Sequence, residues 1–145
     1  MQRATTLELT HIGRRWAGLR SFVADRAPLL DTLSTHFPTL PIVAEDLGVI
    51  TDEVRALRHK YGLPGMSVLQ FAFDNFADNP HKPSNITEAC IAYTGTHDNN
   101  TSVGWFSSLQ PHERAFVFEV LGEPPTDTIA PLMIKTALRS KAALA

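Results

Sequence analysis

Two short stretches gather most of the side chains that can do chemistry. Glu45 and Asp46 directly follow the apolar run Leu40-Pro41-Ile42-Val43-Ala44. Partial desolvation at such a junction favours the protonated form of a carboxyl group, the form a general acid needs near neutral pH. Successive side chains at a strand end point to different sides, so one acid is expected to face a site and the other to serve the scaffold. A helix-capping or loop acid is the plainer alternative. The second stretch is Thr94-Gly95-Thr96-His97-Asp98-Asn99-Asn100. Gly95 permits a tight turn or the close approach of a ligand. His97 and Asp98 set a donor beside an acceptor, which suits two adjacent hydroxyl groups. The same residue types also build an Asx-turn and an N-cap at the entrance to a helix.

Phe71, Phe73, Phe76, Tyr93, Trp105 and Phe106 lie near these segments. Phenylalanines are ordinary core residues; Trp105, which follows the polar loop, is the candidate wall for a sugar ring. The sequence contains no HExxH, no GxGxxG and no Cys/His metal spacing. His97 and Asp98 lack a third ligand cluster, so neither a metal nor a cofactor is expected. A net charge of -2 and a pI near 6.3 leave no basic stripe for nucleic acid. The one cysteine, Cys90, lies in an apolar run and is expected as a buried core thiol in a reducing, cytoplasmic compartment. No stretch has the length of a membrane span, and the arginine-bearing start lacks the apolar core of a secretory signal.

The elements that must position these groups follow from periodicity. Residues 1–38 read as mostly helical, best at 28–36, with Pro38 closing the segment. Residues 40–44 read as a buried strand. Residues 51–61 form the clearest helix, with Thr51 as N-cap, Asp52 and Glu53 in the first turn and Gly62 after the end. Strands are expected at 66–73 and 89–94, and helices at 111–121 and 131–143. Strands alternating with helices argue for parallel βαβ units. The polar clusters follow strand ends, where both barrels and doubly wound sheets place their sites; the pattern alone does not choose between those folds.

Pro41-Ile42-Val43-Ala44-Glu45-Asp46-Leu47-Gly48-Val49-Ile50 resembles the signature of the amylomaltases, the 4-α-glucanotransferases or disproportionating enzymes. The resemblance continues through Leu63-Pro64-Gly65-Met66, Val68-Leu69-Gln70-Phe71-Ala72-Phe73, Asp78-Asn79-Pro80, Tyr93-Thr94-Gly95-Thr96-His97-Asp98-Asn99 and Gly104-Trp105. It implies an α/β fold, a partial (β/α)8 TIM barrel of the alpha-amylase-like superfamily holding about strands five to seven with their helices. Residues 1–30 are expected to lie outside the resemblance and 31–145 to form the partial barrel. The implied chemistry is retaining transfer of α-1,4-glucan segments from a maltodextrin to a glucose acceptor. Such transfer uses an aspartate nucleophile and a glutamate that acts first as acid and then as base. Glu45 matches the acid/base, and Asp98 the carboxylate that grips sugar hydroxyls and steadies the transition state. His97, Asn99 and Trp105 are the implied substrate contacts, with Asp46 and Gly95 in structural roles.

Three departures accompany the resemblance. The Arg-x-Asp-His run that carries the family's nucleophile is absent from these 145 residues, so the chain by itself is expected to be inactive. The sequence stops at Lys141-Ala142-Ala143-Leu144-Ala145, where the family's last barrel strand would begin. Asn100 stands where the family more often has aspartate, and Pro131 where an aromatic is usual. The competing expectations are a non-catalytic α-glucan-binding remnant and a purely structural fragment.

Overall fold

The first strand, β1 (Thr5–Glu8), runs parallel to β2 (Ile42–Glu45), with Thr5 opposite Ile42 and Glu8 opposite Glu45. A computed structural model describes residues 5–8, 19–37, 42–125 and 128–145, with side chains from Ala27 onward. It divides the chain into two units, Met1–Met66 and Ser67–Ala145. The helical reading of residues 1–38 is corrected at β1, whose partner is remote in sequence and invisible to local periodicity. Residues 1–4, 9–18 and 38 lie outside the described residues, as do Leu40 and Pro41 of the expected strand.

In the first unit α1 (Leu19–His36) contains Pro28, which ends nothing. Thr32 Oγ1 donates to the Pro28 carbonyl at 2.8 Å. The next helix, α2 (Asp52–Lys60), begins where Thr51 Oγ1 accepts the Val54 N–H and its acids lie in the first turn. It ends where Gly62 turns left-handed at φ 61, a conformation that favours glycine. The Leu63 N–H returns to the Arg58 carbonyl at 3.0 Å. Val54 and Leu57 are its buried face. The Tyr61 hydroxyl lies 2.7 Å from Asp31 Oδ1 and ties α2 to α1.

The boundary between the units falls within β3 (Gly65–Val68). The strand expected at 66–73 stops at Val68 and passes into a 3-10 turn over Leu69–Phe71. The Ala72 N–H returns to the Leu69 carbonyl, and the Asn79 side-chain amide takes the Phe71 carbonyl at 2.8 Å. Those local partners override the β-propensity of Phe71 and Phe73. β3 neighbours β4 (Cys90–Tyr93) in a two-stranded sheet.

Helix α3 (Ser102–Ser108) has no counterpart in the periodicity, because Ser102, Val103 and Gly104 are poor helix formers. Thr101 starts it by accepting the Gly104 N–H at 3.1 Å. Helix α4 (Pro111–Leu121) has the expected bounds, a capping box between Gln110 and Glu113, and Gly122 at φ 66 after its end. Helix α5 spans Ile129–Arg139 rather than 131–143. Its early stop has a cause: the tail leaves to pair with β4, through a parallel bridge between Ile91 and Leu144 and bonds from Ala143 N–H to Cys90 O and from Ala92 N–H to Leu144 O. Leu69, Ile86, Val117, Phe118 and Met133 form the core of this unit, and the buried thiol of Cys90 within it donates to the Thr87 carbonyl at 3.1 Å. No described helix is long and apolar enough to cross a membrane.

Two residues of α5 separate burial from helix propensity. Met133 is 0% exposed and Leu138 68% exposed. Met133→Ala is expected to lower the unfolding free energy by about 2–5 kcal/mol. Leu138→Ala should stay within about 0.5 kcal/mol of the parent in urea denaturation. Equal losses at both positions contradict this core.

Candidate functional site

The first unit presents its candidate acids at the C-terminal end of β2. Ile42, Val43 and Ala44 are buried, and the Ala44 N–H donates to the Pro64 carbonyl at 2.9 Å. Glu45 follows, partly buried, as the last residue of the strand. Asp46 is engaged on both oxygens. Oδ1 accepts the Met66 N–H at 2.8 Å, and Oδ2 lies 3.2 Å from Arg58 Nη1, with the two side chains only 15% and 16% exposed. Gly65 makes room for that pair. A Cβ there would collide with the Arg58 guanidinium and the Asp46 carboxylate, and Gly65 is not left-handed, so the requirement is steric.

In the second unit the polar loop follows β4. Burial pushes the phenol of Tyr93, the last residue of that strand, above its ordinary pKa. The loop closes on itself: Asn99 Oδ1 accepts from the Thr96 N–H at 2.8 Å and from Thr96 Oγ1 at 2.9 Å, and the Asn99 N–H donates to the Thr96 carbonyl at 3.1 Å. His97 and Asp98 stand at its apex, 85% and 80% exposed, with Nε2 and Oδ1 3.3 Å apart. The turn-and-cap reading of this segment is met, since the turn that presents the pair runs into the Thr101 N-cap of α3. Trp105 projects from α3 with its ring 5.1 Å from that of Phe73. The two aromatics line a cleft of about 600 Å³ with Gln70, Asp74, Asn75 and His112.

The structure thus gathers Gly95, His97, Asp98, Asn99 and Trp105 within the second unit, while Glu45 and Asp46 belong to the first. Among the described residues no three His, Cys, Asp or Glu side chains gather as a metal site. Two organising residues lie within the quoted motifs but received no role there. Asn79 is buried, donates to the Phe71 carbonyl and to Asp74 Oδ2, and accepts the His81 N–H. Gln70 is buried in the apolar run Leu69-Gln70-Phe71 and donates to the Asn100 carbonyl at 2.9 Å. For Gln70 the available signal was a polar side chain inside an apolar run, which must find a partner when buried; Asn79, in a polar loop, carried no such signal.

Comparison with known proteins bears on these motifs directly. The profile of the family described as 4-alpha-glucanotransferase matches residues 20–145, a span that begins N-terminal to Asp31. The 4-alpha-glucanotransferase of Thermus thermophilus is 50% identical over 97 residues, covering 66% of this chain and 19% of that protein. That of Aquifex aeolicus is 38% identical over 139 residues, covering 95% and 27%. A solved amylomaltase from Streptococcus agalactiae, in complex with acarbose, superposes with a TM-score of 0.74 at 32% identity, covering 81% of this chain and 24% of that one. The chain belongs to the 4-alpha-glucanotransferase family. It spans about a fifth of the length of the Thermus relative.

The Gly65 contact gives a direct check on the scaffold beneath Glu45. Gly65→Ala forces the Asp46–Arg58 pair aside and is expected to cost about 1–3 kcal/mol, as overpacking does. Chemical denaturation measures it. A neutral substitution at this position means that the ion pair does not sit over the strand.

Proposed function

We propose that this chain supplies the acid/base and the hydroxyl-gripping residues of a retaining α-1,4-glucan transferase, on about strands five to seven of a (β/α)8 barrel. The division of labour after β2 carries the reading: Asp46 is committed to the Met66 N–H and to Arg58. That leaves Asp46 to the scaffold and supports Glu45, the match to the family's acid/base, as the reacting acid. In the transfer Glu45 protonates the leaving glycosidic oxygen while an aspartate nucleophile, which these 145 residues do not supply, bonds to the anomeric carbon. Glu45 then takes the proton from the acceptor hydroxyl as that hydroxyl displaces the aspartate. Asp98 and His97 hold hydroxyls of the sugar under attack, and Asn99 keeps the loop that carries them in shape. Trp105, beside Phe73, offers an aromatic face to a ring. The donor is an α-1,4-glucan or maltodextrin and the acceptor glucose or a shorter glucan. The lone buried thiol fits a reducing, cytoplasmic setting.

The test replaces the matching segment of the Thermus thermophilus relative with residues 20–145 of this chain. In that chimera Glu45→Gln keeps the shape but cannot shuttle a proton. Turnover of maltodextrins should fall by about 10²–10⁴-fold, with an unchanged circular dichroism spectrum. Near-parental turnover removes Glu45 from the mechanism.

Retaining transfer needs two carboxyl groups about 5–5.5 Å apart across the scissile bond. With no Arg-x-Asp-His run in the 145 residues, the chain by itself should bind glucan without turning it over, which is also the behaviour of a glucan-binding remnant. Incubation with maltotriose should release neither glucose nor longer maltodextrins by chromatography. Formation of both, lost on Asp74→Asn or Asp78→Asn, identifies a substitute nucleophile and overturns this half of the proposal.

A further inference from the structure

We infer that Gln70 is a positioning residue, which sets where the His97–Asp98 loop and α3 sit relative to the aromatic cleft; the inference rests on the glucan-binding reading above. Gln70 is 9% exposed, next to Leu69 at 0%. A primary amide in such surroundings is costly unless it is bonded. Nε2 donates to the Asn100 carbonyl at 2.9 Å, at the far end of the loop. At the near end, a Cβ on Gly95 would lie 2.7 Å from the same Nε2. Gly95 has no left-handed backbone, so it is the Gln70 side chain that demands glycine there. One amide therefore meets both ends of the loop, by close packing at Gly95 and by hydrogen bond at Asn100.

The loop between those ends is already a closed body, through the bonds of Thr96 with Asn99. A closed body held at two points has little freedom left. The hold passes onward as well. Asn100 Oδ1 accepts the Thr101 N–H at 2.8 Å, and Thr101 Oγ1 caps α3, which carries Trp105. Gln70 also lines two hollows of this unit: one of about 190 Å³ under the loop and one of about 600 Å³ beside Phe73 and Trp105. It stands where the hydroxyl-gripping loop and the aromatic wall must be kept in register.

Two variants at position 70 and one at Gly95 test this in the 145-residue chain. Gln70→Leu removes the donor. Gln70→Glu keeps the shape, cannot donate as a carboxylate, and can donate again once protonated. Maltoheptaose binding is measured by calorimetry for parent and variants. At about pH 7.5 both Gln70 variants should bind about tenfold more weakly than the parent, the scale expected for loss of a buried hydrogen bond. At about pH 4.5 the deficit of Gln70→Glu relative to the parent should close, because burial favours the protonated carboxyl, while that of Gln70→Leu should persist. Amide exchange at about pH 7.5 should quicken at Thr96, Asp98 and Asn99 and not in α5. Gly95→Ala pushes the loop from its own side and should reproduce the binding and exchange changes if a substitution at 70 unfolds the unit. Parental affinity in every variant overturns the inference. So does protection lost uniformly across the unit with no recovery of Gln70→Glu at low pH, since Gln70 is then only a piece of core. If the parent itself binds no maltoheptaose, the glucan reading fails. The exchange pattern then decides alone whether Gln70 holds the loop, and unchanged protection at 96–99 overturns it.

Discussion

A buried amide or carboxylate is tolerated only when another group answers it. The penalty for leaving an amide unmatched, about 1–3 kcal/mol on the scale of protein mutations and more for an ionised carboxylate, is a large fraction of the stability of a small protein. Asp46, Gln70 and Asn79 all stand under this constraint, and each answers it with backbone groups of a different segment. Asp46 takes the Met66 N–H, Gln70 gives to the Asn100 carbonyl, and Asn79 gives to the Phe71 carbonyl while accepting the His81 N–H. A side chain that satisfies a remote main-chain group fixes a loop as surely as a strand pair does. Here it fixes the segments that follow short strands, where the chemistry-bearing residues lie.

The consequence for function runs through the strand ends. A four-residue strand such as β2 or β4 offers few ladder bonds, so the direction of the chain beyond it is set by what the next residues find. After β2 the chain finds Asp46 bound to Arg58 and Met66, which leaves the position of Glu45 determined by its neighbours on both sides. After β4 it finds Gly95 against Gln70, and the loop turns there. The polar residues that look like a single cluster in the sequence thus divide into those that make the frame and those that the frame presents.

What was legible in the sequence follows the range of the forces involved. Helices α2 and α4 are announced by local signals, Thr51 and Gly62 at one, Pro111 and Gly122 at the other, and they stand where those signals put them. Strands β2 and β4 follow from apolar runs too short for helices. The rest depended on partners that periodicity does not see. β1 is a strand because β2 lies beside it, and α5 ends early because its tail reaches Cys90 and Ala92. The turn after Val68 replaces a longer strand because Asn79 claims the Phe71 carbonyl. At the candidate site, the motifs gave a role to Asp98, which is exposed, and none to Gln70, which is buried, because chemistry is visible in a sequence and support is not.

The exposure of His97 and Asp98 sharpens the reason for that support. A neutral sugar offers its binder hydroxyls and apolar ring faces, with no charge to draw it in. Directional bonds to hydroxyls gain little if the binder must first be ordered, since fixing one residue's backbone costs about 1–2 kcal/mol. For a six-residue loop, that penalty would exceed what a pair of hydroxyl contacts returns. Ordering the loop in advance removes the penalty from the binding step, the general advantage of preorganisation. The Thr96–Asn99 closure supplies that order within the loop, and the Gln70 amide supplies it between the loop and the core. In the function proposed for them, two solvent-facing side chains then meet a neutral substrate as a fixed donor and acceptor, because the groups that hold them in place lie beneath them and out of the water.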